Sequence, residues 1–205
     1  MPPLTWPIDP ASLIQTFEVR HNSPSAGALF AWAARTVESL HYLDDVDRSY
    51  DTSHTVIGGH RPDVADVAHA RWATGACITA LDLCAAGLGR SFCGHAGQRE
   101  LDLTDFDLSQ PSKLKAARRT QLPTPAAQWI DAVCSDANYK KIKEARNWLV
   151  HSHPTQHYTI AIGGPPVRLK LGVGGSQLEV RHIVEVARDV ATSHVSTFLK
   201  LLAVI

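Results

Sequence analysis

The sequence predicts an all-α protein, a bundle of about four long helices with a β-hairpin inserted before the last helix. Three observations lead to this fold class. Apolar residues recur at three- and four-residue steps in four long stretches, as in amphipathic helices. Around residues 157–171 the pattern changes to that of two short strands joined by a turn. No internal repeat is evident. The chain has 205 residues, of which 44 % are hydrophobic and 20 % charged, as expected for one globular domain. We expect residues 1–24 to form an N-terminal extension and residues 25–205 a single helical domain.

The predicted helices begin at residues that suit helix N-termini. Ser25 is a suitable N-cap for a first helix that continues to about Val46, and Pro62 opens a second helix. Gly87 and Gly89 indicate that the second helix ends near Leu88. A third helix is predicted from about residue 124 to 151 or 153, with an interruption considered near 135, and Pro154 follows it. Residues 176–179 have the sequence of a capping box that opens the last helix.

The segments between these helices are predicted from turn formers and alternation. Residues 47–62 are expected to form a loop, and residues 16–19 a short strand. Residues 94–124 are interpreted as a solvated surface loop with one or two helical turns at 113–119. The hairpin is predicted to have strands 157–162 and 167–171, joined by the turn 163–166.

Charge and cysteine content limit the classes of function. Lys plus Arg and Asp plus Glu number 20 each, which counts against a protein that binds duplex nucleic acid tightly without sequence preference. We find no signal peptide and no stretch suited to span a bilayer, so a cytoplasmic protein without a membrane partner is expected. The four cysteines lack CxxC spacing; Cys77 and Cys84, seven residues apart, are expected to be buried, reduced thiols.

The third predicted helix carries an arginine in an unexpected place. At 100° per residue from Ile142, the buried side contains Ala145, Trp148, Leu149 and Val150, and the polar side contains Lys140, Glu144, Asn147 and His151. Arg146 falls inside the apolar arc, where an unpaired charge is strongly unfavourable. Arg146 is therefore expected to have a buried partner, to extend to solvent, or to face a cleft or an interface.

The segment Glu144-Ala-Arg146-Asn147-Trp-Leu-Val-His151 resembles the signature of the HEPN family (higher eukaryotes and prokaryotes nucleotide-binding domains). That signature is an Arg, then a polar residue that is frequently Asn, then a His four to six residues after the Arg. The resemblance implies a helical bundle with the motif late on one helix, and the helix order fits over roughly residues 25–205. Many members are metal-independent ribonucleases of toxin–antitoxin and defence systems, and they typically dimerise with two motifs facing each other.

The resemblance implies a division of roles among the motif residues. His151 is expected to transfer protons, Arg146 to bind the phosphoryl oxygens and Asn147 to orient His151 or a phosphate oxygen. Substrate-binding residues are expected at Lys140, Lys143 and His153, with no metal and no cofactor. The expected partners are RNA and a second copy of the chain, and the resemblance also allows for an antitoxin or other regulatory protein.

Other interpretations of the same residues remain open. Arg188–His194 repeats the motif on the last helix, Arg90–His95 has the same spacing, and Arg35–His41 and Arg48–His54 have one residue more. His151, His153 and His157 with Asp136 form a weaker metal-site hypothesis. Asp82 is a candidate orienter of Arg or His. The alternative functions are an RNA-binding or regulatory helical module without catalysis, and a partner-binding protein in which Arg146 pairs with a buried acid.

Overall fold

A computed structural model gives the fold of the chain. It describes residues 4, 6, 9–53, 62–94, 100–151, 170–173 and 176–205, and their side chains at positions 4, 6, 9–42, 68–94, 100–150 and 182–205.

The described part of the chain is almost entirely helical, which confirms the predicted all-α class. Its elements, in chain order, are α1 Pro10–His21, α2 Pro24–Ser53, α3 Pro62–Phe92, a 3-10 turn Leu103–Asp105, α4 Lys113–Arg119, α5 Thr124–Ser135, α6 Ala137–His151, β1 Lys170–Val173, β2 Ser176–Glu179 and α7 Val180–Leu201.

Helix α3 lies at the centre of the bundle and packs against α2, α6 and α7. In its C-terminal half the buried side chains point in several directions, as in a helix covered on most of its circumference; they include Cys84, Ala85, Ala86 and Leu88. Residues 68–92 are long and apolar enough to cross a membrane, with a mean hydropathy of 1.3, but 61 % of the segment is buried inside the protein. Burial of this kind is expected for the core helix of a bundle.

Aromatic rings connect α1, α2 and α7 around α3. The centroid of Phe30 lies 5.3 Å from that of Phe17 and 4.9 Å from that of Phe198, with edge-on geometry in both pairs. Phe17 belongs to α1, so residues 10–21 of the predicted N-terminal extension contribute to the same core. The strand predicted at 16–19 is wrong, because Asp9 caps a helix there and Ile14 and Phe17 are buried on its inner face.

Two glycines that were interpreted as a helix end lie inside α3. A Cβ at Gly87 would overlap the ring of Phe30, and one at Gly89 would crowd Leu101. These glycines allow close approach of neighbouring groups, and α3 therefore continues to Phe92. Helix α2 likewise extends to Ser53, into the segment predicted as a loop.

The connection between α3 and α5 is not the solvated loop that was predicted. Leu101, Leu103 and Phe106 are buried in the core, and only α4 matches the predicted helical turns. The expected break in the third helix is confirmed, because α5 ends at Ser135 and α6 begins at Ala137.

The segment before α7 differs from the prediction where it is described. Residues 176–179 form β2, which pairs antiparallel with β1 in the register Lys170↔Glu179, so they are not a capping box and α7 begins at Val180. The hairpin predicted at 157–171 lies almost wholly outside the described residues and stays a prediction.

The four cysteines are free thiols. Cys77 and Cys84 are fully buried, as predicted. Burial raises the pKa of the Cys77 thiol to about 12, so this group stays protonated at neutral pH.

Candidate functional site

The start of α6 is positioned by Asp136, the residue between α5 and α6. Asp136 has extended backbone (ψ 121°), and its carboxylate accepts a hydrogen bond from the backbone N–H of Asn138 at 2.7 Å. Its second oxygen lies 2.8 Å from Nε2 of His194 on α7. The indole N–H of Trp129 on α5 donates to the carbonyl oxygen of His194 at 3.0 Å. These bonds fix α5, α6 and α7 relative to one another.

Helix α6 buries one face and exposes the other, largely as the sequence predicts. Ile142, Ala145 and Leu149 are buried, while Lys140, Glu144 and Asn147 are exposed. Val150 was predicted on the buried side, and this is wrong: its side chain is 53 % exposed. Val150 lies in the last turn of α6.

Arg146 is half-buried beside the exposed Asn147. Its Nη1 donates to the Oδ1 of Asn147 at 3.3 Å, so these two motif side chains meet on the surface of α6. With the described residues Arg146 forms no ion pair. In the described part of the chain Arg146 thus makes no direct salt bridge to a buried acid.

Asp82 on α3 is the acid that the sequence offers as a candidate orienter of Arg or His. It accepts a hydrogen bond from the backbone N–H of Leu103 at 3.1 Å. Burial raises the pKa of Asp82 to about 6, against the opposing influence of the Leu103 hydrogen bond and of the charges of Lys143 and Arg146. Asp82 therefore lies within the electrostatic range of Arg146 without a direct contact to it.

The predicted substrate-binding lysines differ in their surroundings. Lys140 is exposed to solvent, whereas Lys143 is half-buried. The positive charge of Lys143 helps to lower the pKa of both Asp82 and Asp107, so it lies within electrostatic range of both carboxylates. Lys140 is thus the freer of the two to meet a ligand.

His151 is the last residue of α6. Its side chain, and the whole of His153 and His157, lie outside the described residues, so the metal-site hypothesis that joins them is not tested by the structure. Its fourth member, Asp136, is bonded to His194. Among the described residues, no group of three His, Cys, Asp or Glu side chains is arranged to hold a metal ion.

Sequence reasoning missed one cation at this end of α6. Arg71 of α3 has an exposed side chain, and its Nε donates to the carbonyl oxygen of Leu149 at 2.8 Å. Leu149 lies two residues before His151. An arginine at a polar position within the apolar pattern of α3 was the available signal.

The motif-like copies elsewhere have structural surroundings. His194 bonds to Asp136, Arg90 pairs with Glu100, and Nε2 of His41 lies 2.8 Å from Oγ1 of Thr192. The contacts join α7 to the junction of α5 and α6, α3 to the segment that follows it, and α2 to α7, respectively. The copies at Arg188–His194, Arg90–His95 and Arg35–His41 therefore include residues that hold the fold together.

No family model matches the chain, and comparisons with curated proteins and with solved structures give no match.

Proposed function

We propose that this protein is a HEPN-type endoribonuclease that cleaves RNA without a metal ion at Arg146, Asn147 and His151. The observation that carries the proposal is the placement of Arg146: a half-buried guanidinium, next to the exposed Asn147, with no ion pair to a described residue. A guanidinium in such a place is suited to an external anion, since its planar donors match phosphoryl oxygens.

The proposed reaction uses the RNA's own nucleophile. The 2′-OH attacks the adjacent phosphorus and loses its proton to a base, the P–O5′ bond breaks, and the 5′ oxygen takes up a proton. The products are a 2′,3′-cyclic phosphate and a 5′-OH. His151 serves as the base or the acid, because imidazole exchanges protons near neutral pH. Arg146 stabilises the negative charge on the phosphorane oxygens.

Asn147 precedes His151 by four residues, one turn of α6, so the two belong to the same face of the helix. In the proposal Asn147 orients the imidazole or a phosphate oxygen. Its contact with Arg146 in the free protein is long and solvent-exposed, so an incoming phosphate replaces it at little cost.

The proposal includes a homodimer with two motifs facing each other. Arg146 and His151 are five residues apart, which separates their directions by about 140° around one helix. A two-fold related α6 would bring the Arg of one copy to the His of the other. The exposed Val150, between these two residues, supplies apolar surface for that contact. A cytoplasmic toxin or antiviral effector, restrained by an antitoxin or another regulatory protein, is the biological role we infer.

A second candidate function is RNA binding without cleavage. The formal net charge of zero favours this candidate over a nuclease. The chain has no overall excess of basic residues that would attract RNA to its surface for repeated cleavage. This candidate uses the same face of α6, but it assigns no proton transfer to His151.

One experiment separates the two functions. An end-labelled RNA is incubated with the purified protein in EDTA, beside the same RNA with 2′-deoxy nucleotides at the cleaved positions. The proposed enzyme cleaves the first RNA, leaves a cyclic phosphate, and does not cleave the substituted positions. Binding of both RNAs without cleavage supports the second candidate. Absence of both binding and cleavage, or cleavage that requires added zinc or magnesium, contradicts the proposal.

A further inference from the structure

We propose that Arg71 and Trp72 of α3 form a subsite for a nucleotide next to the cleaved phosphate, with Arg71 on a phosphate and Trp72 stacked on an unpaired base. This inference rests on the proposed function, because it places the subsite beside the end of α6. It assigns a substrate class: RNA that is single-stranded at this position.

The guanidinium of Arg71 is held in place by a single bond at its base. Its Nε–H donates to Leu149 at 2.8 Å, while its side chain is exposed. The described residues give its two Nη atoms no hydrogen bond or ion pair. Four N–H donors therefore remain on a group whose position is already fixed, which reduces the entropy lost when it binds a phosphate.

The same contact indicates how α3 and α6 run past each other. Arg71 meets Leu149 near the end of α6, and Asp82, eleven residues further along α3, feels the charges of Lys143 and Arg146 earlier in α6. The two helices are therefore antiparallel where they pack. At 1.5 Å per residue, Gly75 lies about 6 Å along α3 from Arg71, close to the level of Arg146.

The surface of α3 has open space at Gly75, close to the level of Arg146. A Cβ built on Gly75 meets nothing within 4 Å, although α3 is the central helix and a Cβ on Gly87 would collide with its surroundings. The open space lies between the level of Arg71 and that of Asp82. A phosphate that reaches Arg146 thus has space on the side towards α3, with Arg71 about one turn away.

Trp72 supplies a flat apolar surface beside Arg71. It follows Arg71 by 100° around α3, and its side chain is 40 % exposed. An indole stacks on any unpaired base, and such contacts contribute about 1 to 3 kcal/mol per base. Bases inside a duplex do not offer this face. Because the net charge is zero, stacking is also a source of affinity that does not depend on an overall basic surface.

A capping role alone is the competing account of Arg71. An arginine that donates to the last turn of a helix stabilises the fold by satisfying a terminal carbonyl and by interacting with the helix dipole. That account predicts a loss of stability without a loss of RNA affinity, and it assigns no role to Trp72.

The test measures binding of a 2′-O-methyl RNA decamer, which lacks the nucleophile, by fluorescence anisotropy. The probe is used as a single strand and as a duplex, with wild type, R71A, R71K, W72A and W72F. Trp32 and Arg35 on α2 provide matched controls, since both are exposed. Trp32 is two residues from Phe30, which contacts Gly87, so it is about 20 Å along the bundle from Trp72. Melting temperature and cleavage of unmodified RNA are measured in parallel, with H151A as the inactive reference.

We expect W72A and R71A each to weaken single-strand binding about tenfold, W72F to restore most of it, and W32A and R35A to bind like wild type. The duplex is expected to bind at least about tenfold more weakly than the single strand. If R71A melts far below wild type, R71K and the Trp72 variants decide the question. Wild-type affinity of W72A and R71K, or equal affinity for the duplex, overturns the inference while cleavage by wild type still supports the nuclease. A wild type that neither binds nor cleaves overturns both.

Discussion

The Nε2–H of His194 donates a hydrogen bond to the Oδ2 of Asp136 at 2.8 Å, and this bond joins α7 to the junction of α5 and α6. Although partial burial opposes it, this bond and the backbone N–H of Asn138 lower the pKa of Asp136 below its ordinary value. The backbone N–H of Asp136 caps the end of α5, and its carboxylate accepts from the backbone N–H of Asn138 in the first turn of α6.

His194→Ala is therefore expected to lower stability while leaving the cleavage chemistry in place. Loss of one partly buried hydrogen bond costs about 1 kcal/mol, which corresponds to about 2 to 4 °C in melting temperature for a chain of this size. Because the folded pKa of Asp136 lies below 3.8, its contribution is present at neutral pH and is lost as the pH falls below about 4. Thermal melts at pH 7 and pH 3 measure both effects. His182→Ala, at an exposed position on α7, is the control, and an equal loss in that variant would contradict the account.

Asp82→Asn is expected to stabilise the protein above pH 6. The pKa of Asp82 is raised from 3.8 to about 6, so the folded state binds more protons between these values and stability falls as pH rises through this range. Each unit of pKa difference between the folded and unfolded states corresponds to about 1.4 kcal/mol in the free energy of unfolding. Because Asp82 is partly exposed, the stability that its charge costs is smaller than the pKa difference alone would give. Asparagine keeps the acceptor for the Leu103 N–H. Melting temperatures of both proteins from pH 4 to 8 should diverge in favour of Asn; parallel curves would show that Asp82 is not perturbed.

Two glycines of α3 are expected to respond in opposite ways to alanine. Gly75→Ala adds a methyl group to open space and removes a flexible residue from a helix, so it should stabilise by about 0.5 to 1 kcal/mol. Gly87→Ala places its methyl group against the fully buried ring of Phe30 and should destabilise by about 1 to 3 kcal/mol. Urea denaturation of both variants is the measurement. Destabilisation by Gly75→Ala would show that the space beside Arg146 is filled.

The different environments of these glycines also show what the sequence leaves undetermined. Glycine near the end of an apolar run favours a helix C-terminus, and this rule placed the end of α3 near Gly87 and Gly89. The structure uses both glycines for close packing against Phe30 and Leu101, residues distant in sequence. The local sequence is the same for a glycine that ends a helix and for one that allows close packing inside it, so only the tertiary neighbours distinguish the two. The existence of the helix was predictable and its end was not.

Val150→Glu is expected to weaken the proposed dimer. The side chain is exposed in the last turn of α6, and a carboxylate there would meet its own copy across a two-fold axis. Sedimentation velocity should show a wild-type dimer at micromolar concentration and a Val150→Glu monomer with the same melting temperature. Val19→Glu on α1, at a position of even greater exposure, should remain dimeric. A monomeric wild type would count against the facing arrangement of two motifs.

The candidate site was predictable in part. The polar and buried faces of α6 follow from helical periodicity, and the structure confirms them for Ile142, Leu149 and Asn147. Val150 was misplaced because periodicity indicates a face and does not reveal where neighbouring elements stop covering it. Arg71 was missed because α3 is apolar around most of its circumference, so its periodicity singles out no face. Its proximity to α6 comes from packing of elements about 80 residues apart.

The most direct test of the account is the rate of RNA cleavage by Arg146→Ala and His151→Ala, measured under single-turnover conditions together with thermal stability. Removal of a proton-transfer group slows the chemical step by about 10² to 10⁴-fold. Both variants should show losses of this order, with melting temperatures close to that of wild type and with Arg146→Ala losing about 1 kcal/mol at most. His194→Ala, assayed well below its melting temperature, should cleave like wild type. Wild-type cleavage by His151→Ala, or loss of activity in His194→Ala without unfolding, would contradict the account and place the site elsewhere.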